Sequence, residues 1–148
     1  MVEAVNFNDP GQTVIAGSKL AVEKACEAVK AAGAKRAPAL PVSAPFHSRL
    51  MKPAAEKLKA ALADLTLAAL RFPSSIIDVT VQTDADAIRD ALYRQAFGPV
   101  RWVECVQAIK ARRDPYCGMR PRQVLAGMVK RIDADLTGPC LIQPPWLT

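Results

Sequence analysis

Histidine is almost missing from this chain: there is one in 148 residues, His47. Aromatic residues are also scarce, at 5%, too few to build a platform on which bases stack. With no nucleic-acid-binding module recognisable either, the net charge of +6 is not read as a nucleic-acid footprint. Long apolar runs are lacking, none approaching the roughly 20 residues that span a bilayer, which argues against a membrane protein. The opening Met-Val-Glu-Ala-Val has no basic region followed by an apolar one, so no leader is expected and a cytoplasmic location follows by default. The four cysteines, Cys26, Cys105, Cys117 and Cys140, show no Cys-x-x-Cys spacing and have a single histidine for company. Neither zinc nor disulfides are expected; reduced and mostly packed thiols are.

What is present suits one soluble domain of ordinary size, 51% hydrophobic and 23% charged. Its chemistry would centre on Leu40 to Pro53, the stretch that holds His47. An imidazole, with an unperturbed pKa of about 6.5, can both take and give a proton near neutral pH. Two prolines and a serine break the chain before His47 and an apolar helical pattern resumes after it, which places the ring on a loop entering a helix. Alternatively, the ring is simply packed or solvated beside Phe46.

Taken in order, Ala4–Phe7 and Thr13–Ala16 are β-type runs joined by Asn8-Asp9-Pro10-Gly11-Gln12, and read as a hairpin. Ser18 can cap a helix in which Ala21, Ala25, Ala28, Val29 and Ala32 form a narrow apolar stripe, ended by Gly33. Residues 37–42 read as an extended edge strand, limited by Pro38 and Pro41. Met51–Leu65 reads as an amphipathic helix with Ala54, Leu58, Ala61, Leu62 and Leu65 on one face, and tolerates Pro53 in its first turn. Ile76–Val81 reads as a buried strand. Asp84 or Asp86 opens a helix that stops at Gly98-Pro99 and carries Ile88, Ala91, Leu92 and Gln95 on one face. A glutamine in an apolar stripe needs a buried hydrogen-bond partner or costs about 1–3 kcal/mol. Trp102, Val103, Val106 and Ile109 mark one further helix, and Val124, Leu125, Met128, Val129 and Ile132 another. The tail from Thr137 to Thr148 reads as disordered.

Pro45-Phe46-His47-Ser48, followed by Leu50-Met51-Lys52-Pro53-Ala54-Ala55, resembles the histidine segment of bacterial malonyl-CoA:acyl carrier protein transacylases. Upstream, Val5-Asn6-Phe7-Asn8-Asp9-Pro10-Gly11-Gln12-Thr13-Val14-Ile15-Ala16-Gly17 is similar to the same family. So are, downstream, Ala87-Ile88-Arg89-Asp90-Ala91-Leu92-Tyr93-Arg94-Gln95, Gly98-Pro99-Val100-Arg101-Trp102 and Val124-Leu125-Ala126-Gly127. The likeness runs in order from Val2 to about Leu136 and implies the C-terminal half of such an enzyme. The implied fold is α/β (an α+β fragment): a partial ferredoxin-like subdomain over 1–42, the C-terminal part of an α/β-hydrolase-like acyltransferase body over 43–136, and the tail.

The implied function is transfer of a malonyl group from malonyl-CoA to the pantetheine thiol of acyl carrier protein, in fatty acid biosynthesis, by a serine and a histidine. The resemblance makes His47 the base, sets Gln95 beside it, and puts Phe46 and Asn8 on the substrate side, Phe46 fitting malonyl rather than methylmalonyl. It assigns Lys35, Arg36, Lys130 and Arg131 to the acidic carrier protein, and implies no metal and no cofactor beyond the partner's phosphopantetheine. None of Ser18, Ser43, Ser48, Ser74 or Ser75 lies in a Gly-x-Ser-x-Gly setting, so the nucleophile is expected outside this chain, leaving it inactive alone. A strand edge left open would invite pairing with another chain.

Two stretches depart from the family pattern. Pro73-Ser74-Ser75-Ile76-Ile77-Asp78-Val79 lacks two asparagines expected there, and Cys117-Gly118-Met119-Arg120-Pro121-Arg122 replaces a Gly-Pro-Gly turn with what a one-base reading shift would produce. A docking module without catalysis and a decayed gene product are therefore alternatives to the transacylase reading.

Overall fold

The computed structural model describes residues 1–67, 74–75, 79–111 and 123–136. The hairpin forms as expected and extends further: β1 (Val2–Asp9) pairs antiparallel with β2 (Gln12–Gly17) around a Pro10-Gly11 turn. Asp9 makes that turn chemically, its Oδ1 accepting the Gly11 N–H at 2.9 Å. Val100 extends the sheet on the other side of β1 as an isolated parallel bridge to Asn6. There the Phe7 N–H donates to the Val100 carbonyl at 2.9 Å and the Val100 N–H to that of Val5 at 2.8 Å.

α1 (Lys19–Ala31) follows. Ser18 holds the N-cap position with an extended backbone, but its side chain makes no capping bond; its hydroxyl accepts instead from the Met1 ammonium at 3.4 Å. The helix stops at Gly33, whose φ of +98° suits a residue without Cβ. The Ala34 N–H reaches the Val29 carbonyl and the Gly33 N–H that of Lys30, the paired bonds of a Schellman ending. The stripe differs from expectation: Ala21, Val22, Ala25 and Cys26 are half-buried, whereas Ala28, Val29 and Ala32 are exposed. α1 packs on the hairpin, and only its N-terminal part is covered.

The strand expected over 37–42 does not form. Residues 36–42 pair with no ladder, and 38–42 are exposed. Pro38 and Pro41 have no N–H to donate to one, and favour a solvated extended chain. Of the elements expected for a partial ferredoxin-like unit, a hairpin and a helix form and this strand does not.

Beyond the histidine loop, a 3₁₀ turn (Arg49–Met51) runs into α2 (Lys52–Ala63) with Pro53 in its first turn. The buried positions on α2 are Ala55 and Leu62; Ala54, Leu58, Ala61 and Leu65 are exposed, so the covered face is rotated from the one expected. The neighbour responsible is α3 (Ala85–Gln95), whose Tyr93 hydroxyl donates to Glu56 Oε1 at 2.6 Å while Lys59 lies over the Tyr93 ring. Asp84 caps α3, accepting the Ala87 N–H at 2.8 Å.

Of the buried strand expected over Ile76–Val81, residues 79–81 are described: Val81 begins β4 (Val81–Gln82), which pairs antiparallel with β3 (Ser74–Ser75), while Val79, with φ +64°, and Thr80 form a bend. Residues 76–78, the altered segment within 112–122 and the tail from 137 lie outside the described residues. α4 (Trp102–Ala111) and α5 (Gln123–Ile132) both pack on β1 and on each other. On α5, Val129 is fully buried while Val124 and Leu125 are exposed. The core thus gathers Val5 of β1 with Val106 and Cys105 of α4 and Val129 of α5, and Ala55, Leu62 and Ala91 at the α2–α3 contact. Elements before and after residue 42 share these contacts. Among the described residues no helix is long and apolar enough to cross a membrane.

Candidate active site

His47 lies half-buried where the entry to α2, the end of α3 and the start of β1 converge. The loop is wound by short-range bonds: the Phe46 N–H donates to Ala44, the Ser48 N–H to Pro45 and the Met51 N–H to Ser48. This places His47 in the left-handed region, φ +62°, where a non-glycine residue is held only if its surroundings demand it. Ser48, beside it, is completely buried, and its Oγ donates to the Pro45 carbonyl at 2.6 Å. That hydroxyl is committed to shaping the turn.

The ring Nδ1 is 3.0 Å from the main-chain carbonyl oxygen of Gln95. A carbonyl only accepts, so Nδ1 carries the proton, and in the neutral ring the lone pair is on Nε2. An imidazole fixed in this way is a base with a defined basic atom. Gln95 thus meets His47 through its backbone rather than through the side-chain amide that its place in the apolar stripe brings to mind. The last carbonyls of a helix have no intrahelical partner, and one of these, at the end of α3, is spent on the ring. Gly98 keeps this corner tight: a Cβ there would lie 2.8 Å from the Arg94 carbonyl oxygen.

The other expected site residues are dispersed. Phe46 is half-exposed next to His47. Asn8 sits in the hairpin end, its Nδ2 donating to Gln12 Oε1 at 3.0 Å. Lys35 and Arg36 are exposed after α1, and Lys130 is exposed near the end of α5. Arg131, grouped with Lys130 on the resemblance, reaches back to donate from Nε to Asp9 Oδ2 at 2.7 Å. Burial pushes the Asp9 carboxyl up, but the Arg131 hydrogen bond and charge together with the Gly11 and Gln12 N–H groups outweigh it, and hold it below the usual range. Arg131 is therefore a tie between hairpin and α5. Burial pushes the Cys105 thiol up, against its use as a nucleophile. Among the described residues no three metal-ligating side chains come together.

Residue reasoning passed over Glu3. Its Oε2 accepts the Arg49 N–H at 2.8 Å and its Oε1 pairs with the Arg49 guanidinium. No local signal links two residues 46 positions apart.

A half-buried imidazole with one nitrogen tied to a helix-end carbonyl, and no partner for the other among the described residues, has the geometry a general base needs. Known proteins carry the comparison further. No family model matches, but the malonyl CoA-acyl carrier protein transacylase of Salmonella typhimurium is 51% identical over 150 residues, covering all of this chain and 48% of that protein. That of Bacillus subtilis is 41% identical over 138 residues, covering 92% and 44%. The crystal structure of the acyl-carrier-protein S-malonyltransferase of Burkholderia pseudomallei 1710b superposes with a TM-score of 0.91 at 54% identity, over 97% of this chain and 48% of that one. A malonyl-transacylase in complex with its type II PKS acyl-carrier protein superposes with a TM-score of 0.87 at 48% identity, over 90% and 44%. The chain belongs to the malonyl CoA-acyl carrier protein transacylase family. It spans about half the length of the curated relatives it matches.

Proposed function

We propose that this chain is the C-terminal half of a malonyl-transfer enzyme and supplies its general base, His47. The observation that carries the reading is the Nδ1–H bond to the Gln95 carbonyl, which leaves Nε2 bare to take a proton. In the transfer, a serine outside this chain would lose its proton to Nε2 as its oxygen attacks the thioester carbonyl of malonyl-CoA. Coenzyme A leaves as the thiol, taking that proton back, and a malonyl-enzyme ester remains. The pantetheine thiol of acyl carrier protein then gives its proton to Nε2 and its sulfur to the malonyl carbonyl, and the serine is reprotonated as it leaves. No cofactor of the chain's own takes part, and the setting is cytoplasmic. Phe46, beside the base, is placed to limit space at the malonyl α-carbon, and Lys35, Arg36 and Lys130 offer exposed positive charge to an acidic carrier. Support comes from family membership, from the carrier-protein complex of a superposable relative, and from Ser48 and Cys105 being unsuited as nucleophiles.

The test joins this chain to the remaining part of a relative. In that completed enzyme His47→Ala should lower the malonyl-transfer rate by roughly a thousandfold or more, because nucleophile and base act as a unit. The chain alone should show no transfer above background and no response to the same substitution. Transfer by the chain alone that vanishes with His47→Ala would overturn the proposal.

A further inference from the structure

The turn behind His47 is short of a local cap. The first N–H groups of a helix have no intrahelical acceptor, and the residue at the cap position usually supplies one. Ser48 occupies that position but donates its hydroxyl to Pro45, and makes no side-chain cap. The Arg49 N–H is instead taken by Glu3, which arrives from β1, 46 residues away in sequence. The two halves of this contact differ in weight. The Arg49 side chain is 75% exposed, so its ion pair with Glu3 is a surface pair of small value, whereas the Glu3 side chain is only 18% exposed and its other oxygen grips the main chain two residues from His47.

We infer that Glu3 is a positioning residue for His47: its carboxylate caps the turn, holds the left-handed backbone at His47, and thereby keeps Nδ1 on the Gln95 carbonyl and Nε2 bare. The link runs from β1 through the Arg49 N–H to the ring, and from the ring to α3. Without the cap, a φ of +62° at a non-glycine residue has less to hold it, and the ring loses its registration on Gln95. The inference rests on the reading of His47 as a base, but its test needs no acyl transfer.

With one histidine in the chain, histidine-selective ¹⁵N labelling gives ring signals that need no assignment, and their couplings at neutral to basic pH report which nitrogen carries the proton. The intact 148-residue chain should show mainly the Nδ1–H form. Glu3→Ala should shift the ring to mainly Nε2–H, the form a free imidazole side chain prefers in water. Glu3→Gln keeps an acceptor at the same reach and should retain the Nδ1–H form. Glu3→Asp keeps the charge but falls one methylene short and should lose it. Arg49→Ala removes the exposed guanidinium and leaves the N–H, and should retain it. A folded Glu3→Ala or Glu3→Asp chain still mainly Nδ1–H would overturn the inference, as would Arg49→Ala shifting the ring as far as Glu3→Ala. Should Glu3→Ala fail to fold, the Gln and Asp variants decide. An unsubstituted chain protonated on Nε2 would instead overturn the base assignment itself.

Discussion

At His47 the backbone and the side chain ask for different residues. The left-handed φ favours glycine, while the Gln95 contact requires the imidazole. His47→Ala loses the ring's hydrogen bond and keeps the backbone strain; His47→Gly loses the bond and relieves the strain. Chemical denaturation should therefore find the glycine variant more stable than the alanine variant by about 1 kcal/mol. Asp9 offers a pH test. Its carboxyl ionises below the usual range in the folded chain, so its stabilising effect is present above the unfolded value near 3.8 and disappears as pH falls through the folded one. Arg131→Ala should cost about 1–2 kcal/mol at neutral pH by leaving a buried carboxylate short of its main partner. It should also make the loss of thermal stability below about pH 4 shallower than in the parent, as melts across pH would show.

Among the elements, the α2–α3 pair sets the site, because His47 leads into one helix and Gln95 closes the other. Earlier on α3, Arg89 donates from Nε to the Leu62 carbonyl and from Nη2 to that of Leu65, both at 3.0 Å, while pairing with Asp86. A cation at the C-terminus of α2 thus satisfies carbonyls that the helix itself cannot, and complements its dipole. Arg89→Ala should lower stability by about 1–2 kcal/mol in urea denaturation, and Arg89→Lys should recover only part of this, because an ammonium lacks the planar fork that reaches two carbonyls at once. Full recovery by lysine would show that charge alone matters there. The hairpin is tied to α5 by Asp9–Arg131, so α5 and β1 are coupled by a side-chain bond as α2 and α3 are.

At the scale of the whole molecule, few large side chains are fully buried among the described residues, and many apolar ones face outward. Phe46, Leu50, Leu58 and Leu65 along the histidine loop and α2 are each at least 39% exposed, as are Val124 and Leu125 on α5. Scattered single apolar residues are ordinary on a surface, but this many beside a candidate site leaves α2 and α5 with uncovered apolar faces. The charge balance of +6 bears on encounter with a partner rather than on the core. In a completed enzyme, reversing Lys35 and Arg36 to glutamate should slow transfer to acyl carrier protein more than loading from malonyl-CoA. The difference should shrink as salt rises, since exposed charges mainly steer association and are screened. Equal losses in both half-reactions at every salt concentration would remove these residues from carrier docking.

The amino-acid sequence by itself determined what depends on a few neighbouring residues: the Asp-Pro-Gly turn, the helix ending at Gly33, an aspartate cap at Asp84 or Asp86 that the structure assigns to Asp84, Pro53 in a first turn, and His47 at a loop-to-helix junction. These follow from backbone torsions and from hydrogen bonds that span one to five positions, and they can be read wherever they occur. The ordered motifs also carried the family resemblance. Only the tertiary structure decided which nitrogen of His47 is bare, because the acceptor is a main-chain carbonyl, a group every residue possesses and no pattern marks. It alone decided which faces of α1 and α2 are covered, since a helix with several apolar stripes buries the one its neighbour meets. It also brought Glu3 to Arg49 and Asp9 to Arg131, the latter across 122 residues, pairs whose energy exists only after the chain between them has folded.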